Sequence, residues 1–151
     1  LENAIRRCRI DFGAEIKIDI DKITGRPDGR HSKVHYALGD ITYVGENQTG
    51  VLLYIKSSID GKEPVDVHEY ALKNKTFPHQ TTADQFFDEE QFESYRKLGL
   101  HIAHEALSDE EVINKFKFNY KAVSDEEDSN TIEKTFQSFF KTFKDFFTGK
   151  G

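Results

Sequence analysis

Cysteine is almost absent: Cys8 is the only one among 151 residues. The chain therefore closes no internal disulfide and builds no cysteine-based zinc site, which fits a reducing compartment. Basic residues are outnumbered, 21 Lys and Arg against 27 Asp and Glu, for a net charge of −6. Neutralising a phosphate backbone needs a basic stripe, and scattered cations in an acidic chain argue against a nucleic-acid surface. Long apolar runs are missing as well. No stretch approaches the ~20 residues of a membrane-spanning helix, and no signal-peptide core opens the chain. The first residues read instead as the middle of a helix, the expectation for a piece of a longer protein. What is present, 36% hydrophobic residues, suffices for a single domain over residues 1–151 with a modest core.

Leu1, Ile5, Cys8 and Phe12 fall on one helical face, with Arg6, Arg7 and Arg9 elsewhere and Gly13 placed to end the helix. Ala14 to Ile20 then alternates, Ile16, Ile18 and Ile20 against Lys17 and Asp19, the period of a half-buried strand. Val34, Tyr36 and Leu38 share a second strand face, but Ile41 and Tyr43 are out of phase across Gly39-Asp40, which predicts a bulge or bend there. Val51 to Ile55 is apolar on both faces and reads as a central strand. The connections are short, so the strands should be antiparallel neighbours. Asp28-Gly29 and Asp60-Gly61 read as surface turns.

Pro64 suits a first helical turn, and Val67, Tyr70 and Ala71 give a short amphipathic helix to about Asn74. The segment FPHQTTADQFFDEEQFESYRKLG, Phe77 to Gly99, is the one the rest is organised around. Pro78 biases Phe77 away from helix, Thr81 or Thr82 can cap a turn reaching Gln85, and Asp88 with Gln91 is a capping-box variant. From there Phe92, Tyr95, Gly99, Ile102, Ala103 and Ala106 recur at helical spacing, with Gly99 the expected point of close approach. Ser108 and Glu111 form another capping box before a helix bearing Val112, Ile113 and Phe116. After the acidic break Ser124 to Asn130, residues 129–148 read as a terminal helix whose Phe136, Phe139, Phe140, Phe143 and Phe147 make a narrow apolar stripe opposite Lys134 and Lys141. At ~1.5 to 3 kcal/mol per buried ring the stripe must be covered, by this domain, by a homodimer or parent-protein interface, or by a lipid surface. The fold class is α+β, a small antiparallel sheet of about three strands packed with four to six helices.

Chemistry is sparse. His101 and His104, three apart beside Glu105, can place two ligands on one helix face, but spacing supplies no third, so no metal is expected. His79 with Asp84 could form an acid-base pair, yet no motif sets a nucleophile beside it. His79, Thr82, Asp84 and Gln85 are better read as hydrogen-bonding the loop's own backbone. Tyr95 is expected in the core, with Arg96 covering it or meeting an acid.

The segment FPHQTTADQFFDEEQFESYRKLG resembles the C-terminal region of large bacterial patatin-like phospholipases, and AIRRCRIDFG (Ala4 to Gly13) and LLYIKSS (Leu52 to Ser58) resemble segments preceding it in that family. The resemblance spans about the first two-thirds of the chain. It implies a parent that cleaves lipid acyl esters with a Ser-Asp dyad and no metal. That dyad uses a G-x-S-x-G elbow and an aspartate in D-G-G or D-G-A. No G-x-S-x-G occurs here, and Asp28-Gly29 and Asp60-Gly61 are followed by Arg30 and Lys62. The expectation is thus an accessory region without catalytic residues or cofactors of its own, lying downstream of a catalytic domain in the same chain. The sequence leaves the location unknown, with cytoplasmic or cytoplasmic-face peripheral placement favoured. The alternative is a stand-alone interaction module working through the Phe-rich helix.

Overall fold

A computed structural model describes residues 1–25, 31–45, 49–81, 83, 86–123, 134, 138 and 141. Its class is α+β: three antiparallel strands and four helices among the described residues. The order is α1 (Glu2–Phe12), β1 (Ala14–Ile18), β2 (Tyr36–Tyr43), β3 (Thr49–Ile55), α2 (Val65–Lys73), α3 (Glu89–Ser108) and α4 (Glu110–Val123). Two compact units divide the chain. The first comprises Leu1–Asp19, Ala37–Tyr54 and Leu107–Gly151, the second Ile20–Tyr36 and Ile55–Ala106.

In the first unit α1 ends where expected. Gly13 takes the left-handed conformation, φ 62°, and its N–H donates to the Cys8 carbonyl. The helix buries none of its residues, however, and Phe12 is exposed. Arg9 forks onto Glu15 at 2.7 and 2.9 Å, joining α1 to β1. β1 pairs with β2 one to one, from Ile18 opposite Gly39 to Ala14 opposite Tyr43. Opposite β1 there is no extra residue at Gly39-Asp40, so of the expected bulge or bend, a bulge on that side is corrected. The glycine is needed instead for close approach, since a Cβ there would stand 2.9 Å from the Lys17 carbonyl oxygen.

The sheet order β1-β2-β3 puts β2 in the middle, which corrects the expectation that Val51 to Ile55 is central. Every residue from Gly50 to Tyr54 is only half-buried. An apolar run with both faces partly covered carries the same sequence pattern as one fully covered, and length does not separate them. In α4, Asp109 rather than Ser108 caps: α3 runs through Ser108, and the Asp109 carboxylate accepts the Glu111 N–H at 2.6 Å. Val112 is fully buried. Phe136, Phe139, Phe140, Phe143 and Phe147 lie outside the described residues; Lys134, Ser138 and Lys141 are helical and exposed.

The second unit holds the apolar core of Ile59, Val67, Tyr70, Phe77, Leu98 and Ile102, with Ala71 and Tyr95 packed against it. α2 presents Val67 and Tyr70 to it as their spacing predicts. α3 starts at its expected cap, Asp88 accepting the Gln91 N–H at 2.7 Å. Its buried face is Gln91, Ser94, Leu98, Ile102 and Ala106, rotated from the predicted one. Phe92 is exposed, and a Cβ on Gly99 would meet nothing within 4 Å, so no close approach occurs there. The Phe77-Pro78 peptide is cis, and Phe77 stacks edge-on against Tyr70 and Tyr95 at centroid distances of 5.0 and 4.8 Å.

Candidate functional site

Within the second unit, α3 also turns polar side chains inward. His101 and Glu105 are four residues apart and therefore stacked on one face. They meet His35, which directly precedes β2 and is fixed by the Lys56 N–H donating to its carbonyl at 2.8 Å. Asp60 arrives from the turn after β3. One donor atom from each of His35, Asp60 and His101 lies within 4.8 Å of the other two. The His35 ring is wholly buried and edge-on to His101, centroids 5.6 Å apart.

The turn bearing Asp60 is locked by carboxylates. Glu63, itself buried, accepts the N–H groups of Asp60 and Gly61 at 2.5 and 3.0 Å, while Asp60 Oδ1 accepts the Lys62 N–H at 2.9 Å. Gly61 has φ 95°, which a side chain would strain. Sequence reading placed a surface turn here. The turn chemistry is present, but the Asp60 side chain is 1% exposed, so the surface reading of its carboxylate is corrected. Burial pushes the Asp60 carboxyl up, but the Lys62 ammonium and N–H together with His35 outweigh it and hold the group below the usual carboxylate range.

Hydrogen bonds hold the far side of His35. Ser58 Oγ lies 3.0 Å from His35 Nδ1, accepts from Ser32 Oγ at 2.8 Å and donates to the Lys56 carbonyl at 3.4 Å. On the other side His35 Nε2 faces Asp60 Oδ1 and Glu105 Oε2, each at 3.6 Å, beyond hydrogen-bond length. The buried atoms His35 Nε2, His101 Nε2 and Glu105 Oε2 have no hydrogen-bond partner. Lys62 meets the outer side of the cluster, 2.9 Å from Asp60 Oδ2 and 3.8 Å from Glu105 Oε1.

Ser58, His35 and Asp60 follow one another as a hydrolase triad would, but the site is closed. Ser58 is 2% and His35 0% exposed, and the serine hydroxyl is already committed to a carbonyl. The oxygen is enclosed, and Ser32, Ser58 and His35 form an internal hydrogen-bonded brace.

His79, Tyr95 and Arg96, singled out from sequence, are not among the residues that converge there. His79 is exposed, its N–H donating to Thr76, while Thr82, Asp84 and Gln85 lie outside the described residues. Tyr95 is half-buried between Phe77 and Phe87, and Arg96 forks onto Glu93 with both bonds at 2.7 Å. Gln80 ties the loop to both helices: it accepts from Gln91 at 3.1 Å and donates to the Tyr70 hydroxyl at 3.4 Å. His104, paired with His101 by spacing, is exposed and takes no part in the cluster. His35 and Asp60 carried no local signal of a site. The one available hint was phase: His35 precedes Ala37 and Gly39 at period two, and all three are buried.

Among the described residues no helix is long and apolar enough to cross a membrane. A scan against protein-family models and searches of curated proteins and of solved structures each returned no match.

Proposed function

We propose that the chain is a non-catalytic accessory region of a lipid acyl hydrolase of the patatin-like kind, bracing or covering a catalytic core encoded upstream. The observation that carries this reading is the exposure of Phe87 and Phe92, 51% and 61%, within the segment that bears the family resemblance. Phe87 is firmly supported: it leans on Tyr95 with centroids 6.0 Å apart, and Tyr95 stacks on the core residue Phe77. Aromatic rings held on a rigid base at a surface are what a docked partner domain requires. The closed serine-histidine brace agrees with chemistry performed elsewhere.

The test has two arms. Reading the gene upstream of the Leu1 codon should reveal a G-x-S-x-G elbow and a D-G-G or D-G-A turn; a start codon at or near Leu1 would sink the proposal. Assayed on a short-chain acyl ester, the 151-residue chain should show nothing above buffer. The longer protein should hydrolyse the ester, and Phe87→Ser with Phe92→Ser should lower its melting temperature more than that of the isolated chain.

A further inference from the structure

We propose that His35, Asp60 and His101, with Glu105 as fourth donor, form a binding site for a divalent transition ion of the zinc class. Convergence is the first observation: three side chains from a strand end, a turn and a helix bring donor atoms within 4.8 Å of one another. Directionality is the second. The fully buried His35 turns Nε2, which has no hydrogen-bond partner, toward two carboxylate oxygens 3.6 Å away, an arrangement that a cation between the three atoms would join. Donors bound tetrahedrally at zinc distances stand about 3.4 Å apart, so the His35 pairs are near bonding separation and His101 has to close in from within 4.8 Å.

Chemical type narrows the ion. Two imidazole nitrogens with two carboxylate oxygens suit zinc and its neighbours, whereas calcium and magnesium prefer oxygen alone. The surroundings also have the form of ligand support. His35 Nδ1 is held 3.0 Å from Ser58 Oγ, and Glu63 fixes the backbone of Asp60, the outer bonds that orient ligands in such sites. Lys62 is the competing source of positive charge. Its ammonium reaches the carboxylates from outside, and neither His35 Nε2 nor His101 Nε2 has a hydrogen-bond partner. The sequence reading expected no metal because it saw only His101 and His104; the structure replaces His104 with His35 and Asp60.

The test uses the 151-residue chain, stripped with chelator and titrated with Zn(II), then with Co(II) as a spectroscopic substitute. The expected result is one ion per chain, visible Co(II) bands of tetrahedral intensity, and a melting temperature about 5 °C or more higher at hundredfold excess of zinc over Kd. His101→Ala should weaken zinc binding at least ~100-fold and Glu105→Gln ~10-fold, whereas Lys62→Met should leave binding intact or tighter. Glu105→Gln keeps the side chain's shape and serves as the folded comparison should His101→Ala fail to fold. Absence of Co(II) bands and of a zinc-induced thermal shift would overturn the proposal. So would zinc uptake indifferent to both His101→Ala and Glu105→Gln, which would locate the ion on exposed histidines.

Discussion

Helix α3 buries two neighbouring strips by opposite means. Leu98 and Ile102 vanish into an apolar cluster, while His101 and Glu105, each three residues further on, turn toward His35 and Asp60. The apolar strip is held by surface removed from water, a force without direction. It depends on volume and forgives a change of shape. The polar strip depends on direction, because each buried nitrogen or oxygen must meet a partner of the right sign.

The largest effect should come from emptying the apolar strip. Leu98, 1% exposed, should cost about 2–5 kcal/mol as Leu98→Ala in urea unfolding, and under about 1.5 kcal/mol as the volume-conserving Leu98→Met. If Leu98→Met proved as damaging as Leu98→Ala, the contrast of tolerance would fail. Next comes the polar strip's anchor. Glu63→Gln retains shape but halves the accepting capacity around the Asp60 and Gly61 N–H groups, so unfolding should register a loss of about 1–3 kcal/mol. A near-isosteric change would then hurt more on the polar side than Leu98→Met does on the apolar one. Both strips share a helix start, and Asp88→Ala should remove about 1 kcal/mol by freeing the Gln91 N–H. Amide exchange should rise in the first turn of α3 rather than at Leu98 or His101.

The smallest effect belongs to the solvent side of the same helix. Lys97 donates a hydrogen bond to Asp66 of α2 and thereby holds its carboxyl below the ordinary value of 3.8. A carboxyl depressed in the folded state stabilises above its unfolded pKa, and the contribution fades as pH falls through the folded pKa. Asp66→Asn should therefore lower the melting temperature slightly at about pH 6, with the difference closing toward about pH 2. Both partners are partly exposed, so high salt should shrink the effect at neutral pH as well.

What could be read in advance follows the same division. Periodicity located α2 and the first strand, because each apolar residue signals burial within a few positions of the next, while the cap residues Gly13 and Asp88 marked the end of α1 and the start of α3. It failed where small or polar residues do the packing. The inner face of α3 is marked by Gln91 and Ser94, so Phe92 and Gly99 drew the predicted face round the helix. In β2 the buried row is Ala37 and Gly39, while the conspicuous Tyr36 and Leu38 are only half-covered. The candidate site was legible only as the His101 and Glu105 half. His35 and Asp60 are joined to it by strand pairing and a carboxylate-locked turn, relations between distant positions that no local window contains.

Lys62 gives each acid of the polar strip an outer and an inner side. Its side chain is 67% exposed, so the ammonium works in an aqueous, ion-rich medium, whereas the oxygens turned to His35 are sealed from it. Raising the ionic strength loosens the outward contact and scarcely touches the inward field. Acetylating that one amine would make the pocket more negative from without, with no atom of its interior altered.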